Sequence, residues 1–137
     1  MPASKFFIDT NVLLYLLSAD NDKADVAEAV LRAGGMISVQ VLNEMANVAR
    51  RKLAMSWMEI NEVLDLVRSV CPVAPLTIET HDRGRLVAEQ YGMSVYDAMI
   101  VAAALLGGCE TLYSEDMQDG LVVDHQLRIC NPLTIRS

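Results

Sequence analysis

The chain has 137 residues, enough for one hydrophobic core and short for two, so one domain spanning residues 1–137 is expected. A hydrophobic fraction of 53% argues against a disordered chain. A formal charge of −7 removes the basic footprint by which most proteins hold nucleic-acid phosphates, unless the acids are gathered around divalent cations that reverse the local field.

Phe6-Phe7-Ile8 is an apolar run ending in Asp9-Thr10-Asn11, which predicts a buried strand with a polar tip. A helix from Val12 to Ser18 is expected next. Asn21 and Asp22 offer caps for a second helix, stopped by Gly34-Gly35. Met36 to Val39 reads as a strand, followed by a helix over Val41 to Leu53. Ser56 and Glu59 have capping-box spacing, so a helix starts there and ends at Pro72-Val73-Ala74-Pro75, a short extended segment. Thr77 or Thr80 caps the next helix, which closes at Tyr91-Gly92. Asp97 opens an Ala-rich helix ending at Gly107-Gly108, then Thr111 to Tyr113 and Leu127 to Cys130 read as strands. Strands alternating with helices give an α/β domain with a mostly parallel sheet covered on both faces.

Cys71, Cys109 and Cys130 lack metal-ligand spacing and read as reduced thiols. The N-terminal apolar run is too short for a signal peptide. The longest apolar stretch, Ala98 to Cys109, is well short of the roughly 20 residues that span a bilayer. A cytoplasmic protein without a membrane partner is the expectation.

In open α/β sheets, ligands bind beyond the carboxyl ends of the strands. Asp9 and Asp116 follow apolar strands, while Glu44 and Asp97 lie at strand-to-helix and loop-to-helix junctions, so the topology brings these acids to one edge. Clustered carboxylates repel one another unless a cation neutralises them, and an all-oxygen donor set suits magnesium or manganese. Taken singly, each acid has a plain structural explanation. Asp9 can cap a helix, Glu44 can sit on a solvated helix face, Asp97 can be an N-cap, and Asp116 and Asp119 can be turn residues.

Four segments, Phe7-Ile8-Asp9-Thr10-Asn11-Val12-Leu13, Ser38-Val39-Gln40-Val41-Leu42-Asn43-Glu44, Tyr96-Asp97-Ala98-Met99-Ile100-Val101-Ala102-Ala103-Ala104 and Leu112-Tyr113-Ser114-Glu115-Asp116-Met117-Gln118-Asp119-Gly120, resemble the successive motifs of PIN domains. The likeness is greatest to VapC-like bacterial and archaeal proteins. It implies a three-layer α/β/α fold, dependence on Mg2+ or Mn2+, and cleavage of single-stranded RNA. Asp9, Glu44, Asp97 and Asp116 match the family's acidic quartet, which would hold the metal and carry catalysis. Thr10, Asn11 and Ser114 stand beside those acids and would orient carboxylates or waters. Asp119 becomes a fifth metal-binding candidate if its segment is helical.

The resemblance also implies the toxin of a type II toxin–antitoxin pair, a VapB-like antitoxin as partner, and a homodimer. Leu14, Tyr15, Leu16, Leu17 and Trp57 are candidates for such surfaces, with core packing the default for most. Arg50-Arg51-Lys52 is the densest basic cluster and a candidate for RNA binding; Arg83 and Arg85 form a lesser one. Two alternatives stand beside this reading: a solitary PIN nuclease in RNA processing, and a non-catalytic metal-binding regulatory α/β module.

Overall fold

The computed structural model describes residues 6–135; Met1 to Lys5, part of the run read as too short for a signal peptide, lie outside them. The described residues begin with β1 (Phe6–Ile8), where Phe7 and Ile8 are fully buried. The chain continues through α1 (Thr10–Leu14), a 3-10 turn (Tyr15–Leu17) and α2 (Asn21–Arg32). Next come β2 (Ile37–Ser38), α3 (Val39–Arg51), α4 (Trp57–Val70) and β3 (Val73–Ala74), then α5 (Ile78–Tyr91) and α6 (Val95–Leu106). β4 (Thr111–Tyr113), β5 (Val122–Val123), β6 (Leu127–Cys130) and α7 (Pro132–Ile135) complete the described chain.

Side-chain caps set most helix starts, and several lie one to three residues from the sequence expectation. Asp9 caps α1, which therefore begins at Thr10 and not Val12. Asp20, rather than Asn21 or Asp22, caps α2 by accepting from the Asp22 and Lys23 amides. Ser38 caps α3, so that helix starts at Val39 and β2 is correspondingly short. Ser56 and Glu59 form the expected capping box. Thr77 caps α5 and Thr80 reciprocates, which decides between the two threonines. Ser94, not Asp97, caps α6. Each cap satisfies amides that the first helical turn leaves without an intrahelical partner.

β1, β4 and β6 pair in parallel, and β5 adds antiparallel to β6. β2 and β3 pair in parallel, and a parallel bridge from Met36 to Phe7 joins them to β1. The combined order is β3-β2-β1-β4-β6-β5. Successive strands step outward from β1 to β3; the chain then returns across the sheet through α5 and α6 and lays β4 on the other side of β1. The winding direction thus reverses between β1 and β4, the type of crevice where open α/β sheets bind ligands. The architecture is the expected α/β/α arrangement with a mostly parallel sheet.

The core explains why α6 reads as a run of Ala, Val, Ile and Leu. Its residues from Ala98 to Leu105 are all buried, as a helix that is apolar all round must be. Gln126 donates to the Leu105 and Cys109 carbonyls, at 3.1 Å each, and ties off its C-terminal end. Cys71 and Cys109 are buried, Cys130 is half-buried and all three are free thiols. Burial pushes the Cys71 and Cys109 thiols up to about 11, away from nucleophilic or metal-binding use. No helix among the described residues is long and apolar enough to cross a membrane.

Gly35 is fixed by packing against β1. A Cβ there would stand 2.4 Å from Phe6 Cε2 and 2.6 Å from Ile8 Cδ1. Gly35→Ala is expected to lower the unfolding free energy by about 1–3 kcal/mol, since the core must shift to admit the methyl. A urea midpoint equal to that of wild type would show instead that β1 yields without cost.

Candidate active site

Asp9 stands where β1 ends and α1 begins. Its amide extends the β1–β4 ladder by donating to the Tyr113 carbonyl at 3.0 Å. Its carboxylate accepts from the Thr10 amide at 2.7 Å, from Ser114 Oγ at 2.8 Å and from Asn11 Nδ2 at 3.2 Å. Asp9 is only 3% exposed. Burial pushes its carboxyl up to about 6, the Ser114 and Thr10 hydrogen bonds work against this, and the Asp97 and Glu44 charges add to it.

Ser114 is fully buried just beyond β4. While donating to Asp9, its Oγ accepts from the Met117 amide at 3.2 Å, which bends the segment carrying Asp116 around the hydroxyl. Asn11 Oδ1 accepts from the Glu115 amide at 3.1 Å, and Tyr15 donates its hydroxyl to the Glu115 carboxylate. Tyr15 is thus buried structure rather than partner surface, while Trp57 is exposed.

Glu44 lies in the second turn of α3, one turn deeper than the strand-to-helix junction at which the sequence placed it. Thr10 Oγ1 donates to its Oε1 and Gln40 Nε2 to its Oε2, both at 2.9 Å. Asp97 is the third residue of α6, where its amide donates to Ser94 Oγ at 3.2 Å. Burial raises the Asp97 pKa first, the Glu44 and Asp116 charges raise it further, and a Ser94 side-chain hydrogen bond opposes them. Asp116 is exposed at the mouth.

Asp9, Glu44, Asp97 and Asp116 line one cleft of about 300 Å³, together with Thr10 and Asn11. Leu14, Asn47, Val48 and Lys52 complete its walls. Asp119 lies elsewhere: its segment is not helical, and its carboxylate accepts from the Asn131 amide at 2.9 Å. The basic cluster is divided. Lys52 lines the cleft, Arg50 donates to the Met55 carbonyl at 3.1 Å and lies over the Trp57 ring, and Arg51 is exposed outside it. Arg83 pairs with Asp124 at 2.9 Å and Arg85 with Asp82 at 3.2 Å. Gln40, Asn47 and Val48 were not singled out from the sequence, although their spacing from Glu44 puts all of them on its helix face.

The donor chemistry fits a hard divalent cation. Four carboxylates and no soft ligand face the cleft, and the mutual repulsion that lifts Asp9 and Asp97 is what such an ion would relieve. Among the described residues no three His, Cys, Asp or Glu side chains form a ready cage. A second groove of about 370 Å³, lined by Met36, Pro72, Val73, Ala74 and neighbouring residues, contains one acid, Glu79.

The family model described as "PIN domain" matches residues 6–118. No curated protein matches the chain. Among solved structures, a toxin–antitoxin complex from Klebsiella pneumoniae is similar with a TM-score of 0.70 at 20% identity, over 94% of this chain and 98% of the other. VapC20 of Mycobacterium tuberculosis, described as a sarcin–ricin loop cleaving toxin, gives 0.66 at 19% identity over 81% and 89%. VapBC2 of Rickettsia felis, bound to a DNA fragment from its promoter, gives 0.66 at 16% identity over 92% and 98%.

Proposed function

This chain belongs to the PIN-domain family, and on that footing we propose that it is a metal-dependent endoribonuclease, the toxin of a type II toxin–antitoxin pair, with residues 1–137 forming one PIN domain. The observation that carries the proposal is the meeting of four carboxylates from four chain segments in one cleft where the strand order reverses. The toxin assignment is supported by likeness to toxin–antitoxin complexes, which also supports a VapB-like antitoxin as partner. Exposed Trp57, Met58, Ile78, Leu86 and Tyr96 are candidates for the antitoxin contact and for a homodimer. The three free thiols fit a cytoplasmic location.

Asp9, Glu44, Asp97 and Asp116 would hold Mg2+ or Mn2+. When bound, such an ion polarises a phosphodiester and lowers the pKa of a water. The chain's own contribution is order. Asp9 is clamped by three donors, and both Glu44 oxygens are pinned by neutral donors while keeping lone pairs for a cation. Ser114 and Asn11 fix the segment from which Asp116 projects. Asp97 brings its charge to a helix N-terminus, where the backbone tolerates it.

The test is cleavage of a labelled single-stranded RNA by antitoxin-free protein in EDTA, magnesium or manganese, with Asp97→Asn alongside. Cleavage is expected in a divalent metal and not in EDTA. It should fall at least about 100-fold in the variant, since metal-held charge stabilisation is worth several kcal/mol. No cleavage in any metal, or equal cleavage by the variant, would sink the proposal.

A further inference from the structure

We propose that Lys52 is a phosphate subsite for the linkage flanking the one being cut, so that the cleft holds a strand and not a single phosphodiester. The inference rests on the nuclease reading and adds to it a second point of contact with the substrate. Lys52 is the cationic side chain among the described residues lining the acidic cleft. Its ammonium has no carboxylate partner among the described residues. Its two basic neighbours are differently placed: the Arg50 guanidinium is engaged by the Met55 carbonyl and the Trp57 ring, and Arg51 lies outside the lining.

Position decides which phosphate Lys52 meets. Glu44 and Lys52 are eight residues apart, with Lys52 at the C-cap of the helix that carries Glu44. At 1.5 Å per residue that is about 12 Å along the axis. Asn47 and Val48 lie between them on the same wall. A lysine side chain reaches roughly half that distance, so its ammonium falls short of a phosphate held among the acids and meets the chain further along. The wall thus runs from Glu44 through a neutral amide and a methyl surface to a cation. In a protein of net charge −7, a cation at the outer end of an acidic cleft gives an approaching polyanion a place to anchor. Lys52 also sits where a helix C-terminus favours positive charge, which accounts for its tolerance there but not for its place on the cleft wall.

The experiment measures binding of a fluorescein-labelled single-stranded RNA decamer by anisotropy over a KCl series in manganese. All proteins carry Asp97→Asn so that the strand survives, and they are compared with and without Lys52→Gln. Loss of one phosphate contact is expected to weaken binding roughly three- to ten-fold and to reduce the slope of log K against log salt by about 0.7. Arg51→Gln should leave the slope unchanged, and Lys52→Arg should restore it. In the otherwise wild-type enzyme, Lys52→Gln should raise KM for the decamer with kcat kept, and should not affect a dinucleotide, which has no flanking linkage. An unchanged slope and KM, in a protein whose unmutated form cuts RNA, overturns the Lys52 subsite alone. A fall in kcat on the dinucleotide also overturns it, because Lys52 would then act at the linkage being cut. A wild-type protein that neither binds nor cuts the decamer overturns this inference and the nuclease reading together.

Discussion

Asp9→Asn is expected to abolish metal-dependent cleavage while making the metal-free protein more stable at pH 7.5 than wild type. The two effects have one origin. Asp9 is 3% exposed, and its carboxyl is lifted from 3.8 to about 6, chiefly by burial and then by the Asp97 and Glu44 charges. A carboxyl whose folded pKa lies above its unfolded value holds its proton more tightly in the native state, so ionising it opposes folding. The penalty is absent below pH 3.8, grows as pH rises towards 6, and is fully present above it. At about 1.4 kcal/mol per pKa unit, a shift of this size corresponds to roughly 3 kcal/mol. Asparagine removes that penalty. Its amide nitrogen replaces the oxygen that accepts from Ser114 Oγ and Asn11 Nδ2; the Ser114 hydroxyl can rotate to accept instead, and the Asn11 amide donor left facing it offsets on the order of 1 kcal/mol.

The metal-free variant should therefore be more stable by about 1–2 kcal/mol above pH 7, with the gain vanishing near pH 4. Manganese should reverse the order. A ligand present at 100 times its Kd stabilises the protein that binds it by about 2.7 kcal/mol, and the variant forgoes that gain. Thermal unfolding at pH 4 and pH 7.5, with and without manganese, reads all of these terms beside the cleavage assay. A variant that keeps a tenth of wild-type activity would show that Asp9 holds no metal. One that is less stable in EDTA at pH 7.5 would show that its hydrogen bonds outweigh its charge.

The same residue shows how much the sequence discloses. A strand ending in an acid, a strand that runs through Ser38 into the helix of Glu44, and an apolar helix after Asp97 are local patterns, and local patterns place the four acids near strand ends and helix starts. Their meeting in space follows from parallel topology, which short apolar runs alternating with helices already imply. Contacts that depend on helix phase are less legible. The helix carrying Glu44 begins at Val39, two residues ahead of the expected start, because Ser38 caps it, and this brings Gln40 into the helix one turn before Glu44, while Asn47, Val48 and Lys52 reach the cleft from the same helix. The misplacement of Asp97 as a cap has a similar cause, since Ser94 three residues earlier competes for the role and wins. β5 escaped notice because Val122–Val123 is too short for alternation to register. Its turn is made by Asp124 and His125 at φ of 52° and 57°, without the glycine or asparagine that usually marks such a hairpin.

The second large effect is on the fold itself. Phe7 is fully buried at the centre of β1, opposite Leu112 of β4 on one side and Met36 on the other, so it holds together the two halves of the sheet where the winding reverses. Phe7→Ala removes most of an aromatic side chain from a site whose backbone is fixed on both edges by ladder hydrogen bonds, leaving the walls little freedom to collapse on the cavity. The expected loss is about 3–5 kcal/mol, against a total stability on the order of 5–15 kcal/mol. For a chain of this length that is a fall in Tm of roughly 10–20 °C. Leu66→Ala, at a side chain 58% exposed, should change stability by less than about 0.5 kcal/mol and serves as the control. Asp9 lies two residues beyond Phe7, and its amide bond to the Tyr113 carbonyl is the next rung of the same ladder. Loosening β1 therefore moves a carboxylate of the cleft, and metal affinity should fall with stability even where the variant remains folded at 10 °C. Manganese titration at that temperature separates the outcomes. A weakened Kd in folded Phe7→Ala ties the site to the strand, whereas an unchanged Kd would mean that the Thr10, Asn11 and Ser114 hydrogen bonds hold Asp9 in place without the core beneath it.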